Sequence, residues 1–140
     1  MNPIKFVDTI YLGDRSCKAI LIDGWNNFLK IQIDMISRIR SENGIWDFYN
    51  DENIKDGYIV FKDLKSIHFE PQGFIPNGEI DFISAKAISD IDNEGNGEFL
   101  FQLFVLAYDK SGNCEKVIVK IIARDICLEN PANPGVEITD

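Results

Sequence analysis

Two stretches, residues 98–108 and 115–123, constrain this chain more than any other feature. Both are rich in Phe, Leu, Val and Ile, and both are bounded by the run Asp109-Lys110-Ser111-Gly112-Asn113. Apolar, β-branched and aromatic residues on either side of a short polar turn predict a long β-hairpin. A hairpin with two apolar arms is marginal by itself in water, so further strands or a second layer must cover it.

The rest of the sequence supplies them. Leu29, Ile31, Ile33 and Met35 alternate with Lys30, Gln32 and Asp34. This period of two marks a strand with one buried face. Residues 17–22 form the preceding strand, joined through Asp23-Gly24-Trp25-Asn26-Asn27, where Gly and Asn tolerate positive φ. Strand character recurs at 45–49, 57–61, 66–69 and 79–88, and 126–128 either extends the hairpin's second arm or starts a last short strand. Pro and Gly make 70–78 an irregular connection. Only the N-terminus reads as helix. Asn2 can cap, Pro3 fits the first helical position, Ile4, Val7, Ile10 and Tyr11 make one stripe, and Gly13 ends it. The fold expected is mainly β: an antiparallel β-sandwich or strongly curved sheet of about seven to eight strands with one short N-terminal helix. At 140 residues it is a single β-rich domain, 1–140, with 129–140 as a C-terminal tail.

Charge narrows the function. Asp and Glu number 23 against 14 Lys and Arg, a net charge of −9. A nucleic-acid partner needs clustered cations to displace counterions, so none is expected. No run of about 18 apolar residues exists to span a membrane. The N-terminus lacks the basic and apolar regions of a signal peptide. Cys17, Cys114 and Cys127 are odd in number and widely spaced. Reduced thiols in a cytoplasmic protein are the expectation.

Few residues carry chemistry. His68 is the single histidine, and its neighbours Ile67 and Phe69 place it on the opposite strand face. Without a GxSxG elbow or a second ligand it reads as structural. Asp90, Asp92 and Glu94 before Gly95 resemble the start of a calcium loop, but the twelfth position, counting from Asp90, is Phe101 instead of a bidentate carboxylate. Neither a metal nor a cofactor is therefore expected. Arg38 and Arg40 lie on one strand face, where they pair with acids or hold an anion. A second acidic stretch, Asp47, Asp51, Glu52 and Asp56, interleaves with Trp46, Phe48, Tyr49 and Tyr58. Aromatics beside carboxylates suit an anchor for a basic partner, although buried aromatics beneath solvated acids give the same pattern.

Several segments together carry a resemblance. They are Leu12-Gly13-Asp14-Arg15 before Cys17, Ile36-Ser37-Arg38-Ile39-Arg40 and Trp46-Asp47-Phe48-Tyr49. To these add Asp56-Gly57 before Ile59-Val60-Phe61, the connection Pro71-Gln72-Gly73-Phe74-Ile75-Pro76-Asn77, and Asn133-Pro134-Gly135-Val136. On these the chain resembles a family of small, uncharacterised bacterial proteins, a domain of unknown function, and the resemblance brings no catalytic residues. In class, as a short acidic β-rich chain, it is also similar to bacterial toxin-immunity proteins.

The expectation that follows is a non-enzymatic binding protein, in its sharpest form an immunity protein neutralising a basic toxin such as a nuclease domain. Its protein-binding residues would be Trp46, Asp47, Tyr49, Asp51, Glu52, Asp56, Asp90, Asp92 and Glu94. The alternatives are a small-ligand or carbohydrate-binding module using exposed Trp25 and Tyr58, and an enzyme using carboxylate chemistry.

Overall fold

The computed structural model describes residues 1–40, 52–89 and 97–140. Within them lie one helix, α1 (Pro3–Val7), and twelve strands. The first six are β1 (Ile10–Tyr11), β2 (Arg15–Asp23), β3 (Phe28–Ile33), β4 (Met35–Arg38), β5 (Ile54–Lys55) and β6 (Tyr58–Lys62). The others are β7 (Ser66–Glu70), β8 (Glu79–Ala87), β9 (Phe99–Tyr108), β10 (Cys114–Ala123), β11 (Asp125–Glu129) and β12 (Glu137–Ile138). The protein is mainly β, with one short helix and antiparallel sheets, but the described strands exceed the expected seven to eight. Three of the additional strands (β1, β5 and β12) are two residues long, too short to leave a periodic signal. The strand expected at 45–49 lies outside the described residues.

Nine strands form one sheet in the order β12-β11-β6-β3-β2-β8-β9-β10-β7, and β1-β4-β5 form a small second sheet. The large sheet folds over on itself. Phe61 of β6 and Phe101 of β9 are four strands apart in the order, yet their rings meet edge-on at 5.1 Å. Two corners fix this geometry. At one, Leu64 and Lys65 donate from their N–H groups to the carbonyls of Asn27 and Ile122. At the other, the Arg124 N–H donates to the Lys62 carbonyl, turning β10 into β11. The inner faces of β3, β6, β9 and β10 supply Leu29, Ile31, Phe61, Phe101, Val119 and Ile121, all fully buried. The predicted hairpin is present, with ten residue pairs from Cys114–Tyr108 to Ala123–Phe99.

The helix is shorter than its apolar stripe implied. Asn2 caps it through Oδ1 to the Lys5 N–H at 2.9 Å, and it ends at Val7 with Asp8 as the cap. Thr9 Oγ1 donates back to the Phe6 carbonyl, and the Thr9 carbonyl accepts from the Ile39 N–H. Ile10 and Tyr11 then pair with Arg38 and Ser37. Two β-branched residues and a hydroxyl that bonds its own backbone favour leaving the helix here. The predicted strand through Met35 also divides. The Asp34 carboxylate takes the N–H groups of Ser16 and Met35, both at 2.9 Å, and β4 starts beyond it.

Strand β2 is paired unevenly on its two sides. It pairs with β3 from Cys17 to Asp23, but with β8 only at Arg15 and Ser16. The register shifts between Cys17 and Ala19 on β2, and between Ile80 and Phe82 on β8. Bulges bend strands, and here β2 and β8 diverge at theirs. The outer half of β2 is left without a strand on that side among the described residues, while β3 stays paired with β6 from Phe28 to Gln32.

Candidate functional site

The β2–β3 hairpin ends in a tight polar turn. The Asp23 carboxylate accepts from the Asn26 backbone N–H and from Asn26 Nδ2, both at 2.9 Å. The Asn26 side-chain amide, and then its backbone N–H, hold the Asp23 carboxyl below its ordinary pKa. Asn27 adopts φ 55°, a left-handed conformation that Asn tolerates. This turn holds Trp25 out at the tip, 93% exposed.

Behind the tip lies an apolar groove of about 460 Å³. Ile20 and Ile22 of β2 line one side, and Phe69 of β7 with Phe74, Ile75 and Pro76 line the other. Ile20 and Ile22 pair across the sheet with Ile31 and Leu29, both fully buried. They therefore point to the core face, but at a place where the sheet has opened. Ile22 is 58% exposed and Ile75 76% exposed. A large apolar side chain loses roughly 1.5–3 kcal/mol of burial when left in water, so a cluster of them without cover marks an interaction surface. The connection is fixed just beyond Pro76. Asn77 donates from Nδ2 to the Tyr108 carbonyl at 3.1 Å and accepts the Tyr108 N–H at 2.8 Å. Gly78 bonds Leu106 and Cys17 through its backbone, and a Cβ there would come within 2.5 Å of the Tyr108 ring.

Of the residues expected to bind, two are among the described residues, Glu52 and Asp56. Trp46, Asp47, Tyr49, Asp51, Asp90, Asp92 and Glu94 lie outside the described residues. Glu52 accepts from Nε and Nη2 of Arg40, and Asp56 pairs with Lys18 Nζ at 2.7 Å. The hydrogen bond from Lys18, and then its charge, hold the Asp56 carboxyl below its ordinary pKa. These two carboxylates thus meet cations of their own chain. The flanks of the two acidic stretches also sit apart. Glu52 precedes β5 and the start of β6, whereas Glu98 bonds Lys65 at 3.1 Å, beyond the end of β6.

The remaining candidates are accounted for structurally. His68 is exposed on β7, opposite Lys120 in register. Arg38 is buried, donating to Thr9 Oγ1 and to the Asp140 carbonyl, which Arg40 also reaches. Tyr58 is half-buried, with Lys30 Nζ 5.6 Å from its ring centroid. Cys17 and Cys127 are buried and Cys114 is exposed, all three free of disulfides. Burial pushes the Cys17 and Cys127 thiols up to about 11, so both are neutral and unreactive at pH 7. Among the described residues no three His, Cys, Asp or Glu side chains group to hold a metal, and no helix is long and apolar enough to cross a membrane.

Sequence reasoning singled out Trp25 but missed the groove. Its trace was an apolar pair, Phe74-Ile75, inside a Pro- and Gly-rich connection that no strand could bury. No curated protein and no solved structure matches the chain. The model of a family of unknown function (DUF6258) matches residues 1–140, and the chain belongs to that family.

Proposed function

We propose that this protein is a non-enzymatic binding protein that docks a protein partner on the β2–β3 hairpin and the groove behind it. The observation that carries this is the uncovered apolar surface of Ile22, Trp25, Phe74 and Ile75. Exposed aromatic and aliphatic anchors beside a pocket are what a binding hot spot requires.

The charge supports a basic partner. Residues 41–51 and 90–96 hold six acidic side chains and no Lys or Arg, so they carry two-thirds of the net charge of −9. Such a field speeds encounter with a cation-rich protein. Neutralisation of a basic toxin in the cytoplasm of a bacterium is the form of this reading that uses both features.

A tagged pull-down from the lysate of the producing cells, at low and high salt, tests it. The expected result is one basic protein in near-equal amount, weakened by salt and lost with Trp25→Ala combined with Ile75→Asp. Co-expression should also rescue growth if that partner is toxic. Recovery of no specific protein, or capture indifferent to those substitutions, would contradict the proposal. A sugar-binding module is the second reading, favoured by Trp25 alone; a glycan panel with Trp25-dependent binding would support it.

A further inference from the structure

The binding reading above leaves open how a partner engages, and β2 supplies a specific answer. Beyond Cys17 its edge away from β3 pairs with no strand among the described residues. That edge runs Lys18-Ala19-Ile20-Leu21-Ile22-Asp23. Free strand edges present unpaired N–H and C=O groups, and folded proteins protect them with prolines, charges, bulges or a covering segment. Here the bulge at Lys18 and the Asp23 carboxylate stand only at the two ends, and the middle is Ala-Ile-Leu-Ile. Lys18 is already matched by Asp56 at 2.7 Å.

A groove lies beside the edge. Ile20 and Ile22 face Phe69, Phe74, Ile75 and Pro76 across a groove of about 460 Å³, a volume that holds a few side chains or a small ligand. Just past that lining, Asn77 and Gly78 are pinned to β9, which anchors the connection carrying Phe74, Ile75 and Pro76. Charge specifies that segment further. The chain carries −9 overall, and the edge ends in Asp23.

We infer that β2 is a strand-receiving edge, where an extended partner segment with basic flanks adds beside Lys18–Asp23 and sends alternate apolar side chains into the groove. Backbone hydrogen bonds would give affinity, and the groove would select side chains at every second position.

Panning a phage library of random twelve-residue peptides against the full-length protein tests this. Enriched sequences should carry apolar residues at alternate positions with Lys or Arg at the flanks. A synthetic copy should slow amide exchange at residues 18–23. N-methylation of alternate backbone amides keeps the apolar surface but removes the donors, and should weaken binding on the order of tenfold or more. Ile22→Lys, at a half-exposed position, should abolish binding with the melting temperature kept. Absence of enrichment, enrichment without alternation, or equal binding of the N-methylated peptide would overturn the inference. So would concentration-dependent dimerisation through this edge, which would assign it to a second copy. Partner capture that survives Ile22→Lys but not Trp25→Ala would remove strand addition while leaving the binding function intact.

Discussion

The two ends of the β12-β11-β6-β3-β2 half of the sheet are finished in opposite ways. At β11 the last two residues of the edge are covered: β12 pairs Ile138 with Leu128 and Glu137 with Glu129. Ion pairs close the adjoining face, Lys30 to Glu129 at 3.0 Å and Lys62 to Glu137 at 2.8 Å. Beneath them Val60 and Cys127 are buried although they face outward in register with each other. At β2 the pairing with β8 stops at Ser16, and beyond it Leu21 and Ile22 stand in solvent. The apolar side chains near the first edge are thus buried, and those at the second are not. That asymmetry is why the β2 edge reads as a surface awaiting a partner, whereas exposed apolar residues scattered singly would need no explanation.

Four expected outcomes break or sharpen this comparison. The largest effect lies in the core common to both ends. Phe61→Ala or Phe101→Ala removes a fully buried ring and should cost about 3–5 kcal/mol by chemical denaturation. Next is pH. Burial raises the Cys17 thiol from 9.0 to about 11, so the folded state holds this proton more tightly than the unfolded chain. The resulting stability is complete below pH 9 and is lost as pH rises toward 11. The loss is about 1.4 kcal/mol per pH unit for this group. Melting curves across that window should therefore fall more steeply for the native protein than for Cys17→Ala. Glu129→Gln breaks a half-buried ion pair on the covered face and should cost about 1 kcal/mol. Trp25→Ala should change stability by no more than about 0.5 kcal/mol, because the ring is 93% exposed, yet it should abolish partner capture.

Much of this fold was legible because side-chain alternation reports directly on one buried face. β3, β9 and β10 follow it residue by residue: Leu29, Ile31 and Ile33 are buried, and Lys30 and Gln32 are not. The turn chemistry of residues 109–113 likewise announced the hairpin, where the Asp109 carboxylate takes the N–H groups of Ser111 and Asn113. What alternation cannot report is which strand lies beside which. β6 and β7 follow one another closely, but β6 pairs with β3 and β11 and β7 pairs with β10. The sequence leaves 126–128 open between extending β10 and starting a last short strand; the chain turns at Arg124 and forms the separate strand β11 on β6. The C-terminal tail docks for a similarly non-local reason, since Arg38 and Arg40 reach the Asp140 carbonyl from about a hundred residues away.

The candidate site follows the same division. Trp25 was foreseeable because an aromatic in an Asp-Gly-Trp-Asn-Asn turn has no face to bury against. The groove was not, because its exposure arises where β2 and β8 separate after Ser16. Nothing in the run Ala-Ile-Leu-Ile distinguishes a strand buried on both faces from a strand left open on one edge. The Glu52 and Asp56 carboxylates, read locally as surface charge for a partner, are engaged by Arg40 and Lys18, which are distant in sequence.

The most direct test of the central claim is amide hydrogen exchange on the protein free and bound to the basic partner recovered by pull-down. The account predicts new protection confined to residues 18–27 and 69–76, with the β11 and β12 amides unchanged. Protection centred on β11 and β12, or none at the β2–β3 hairpin, would contradict it.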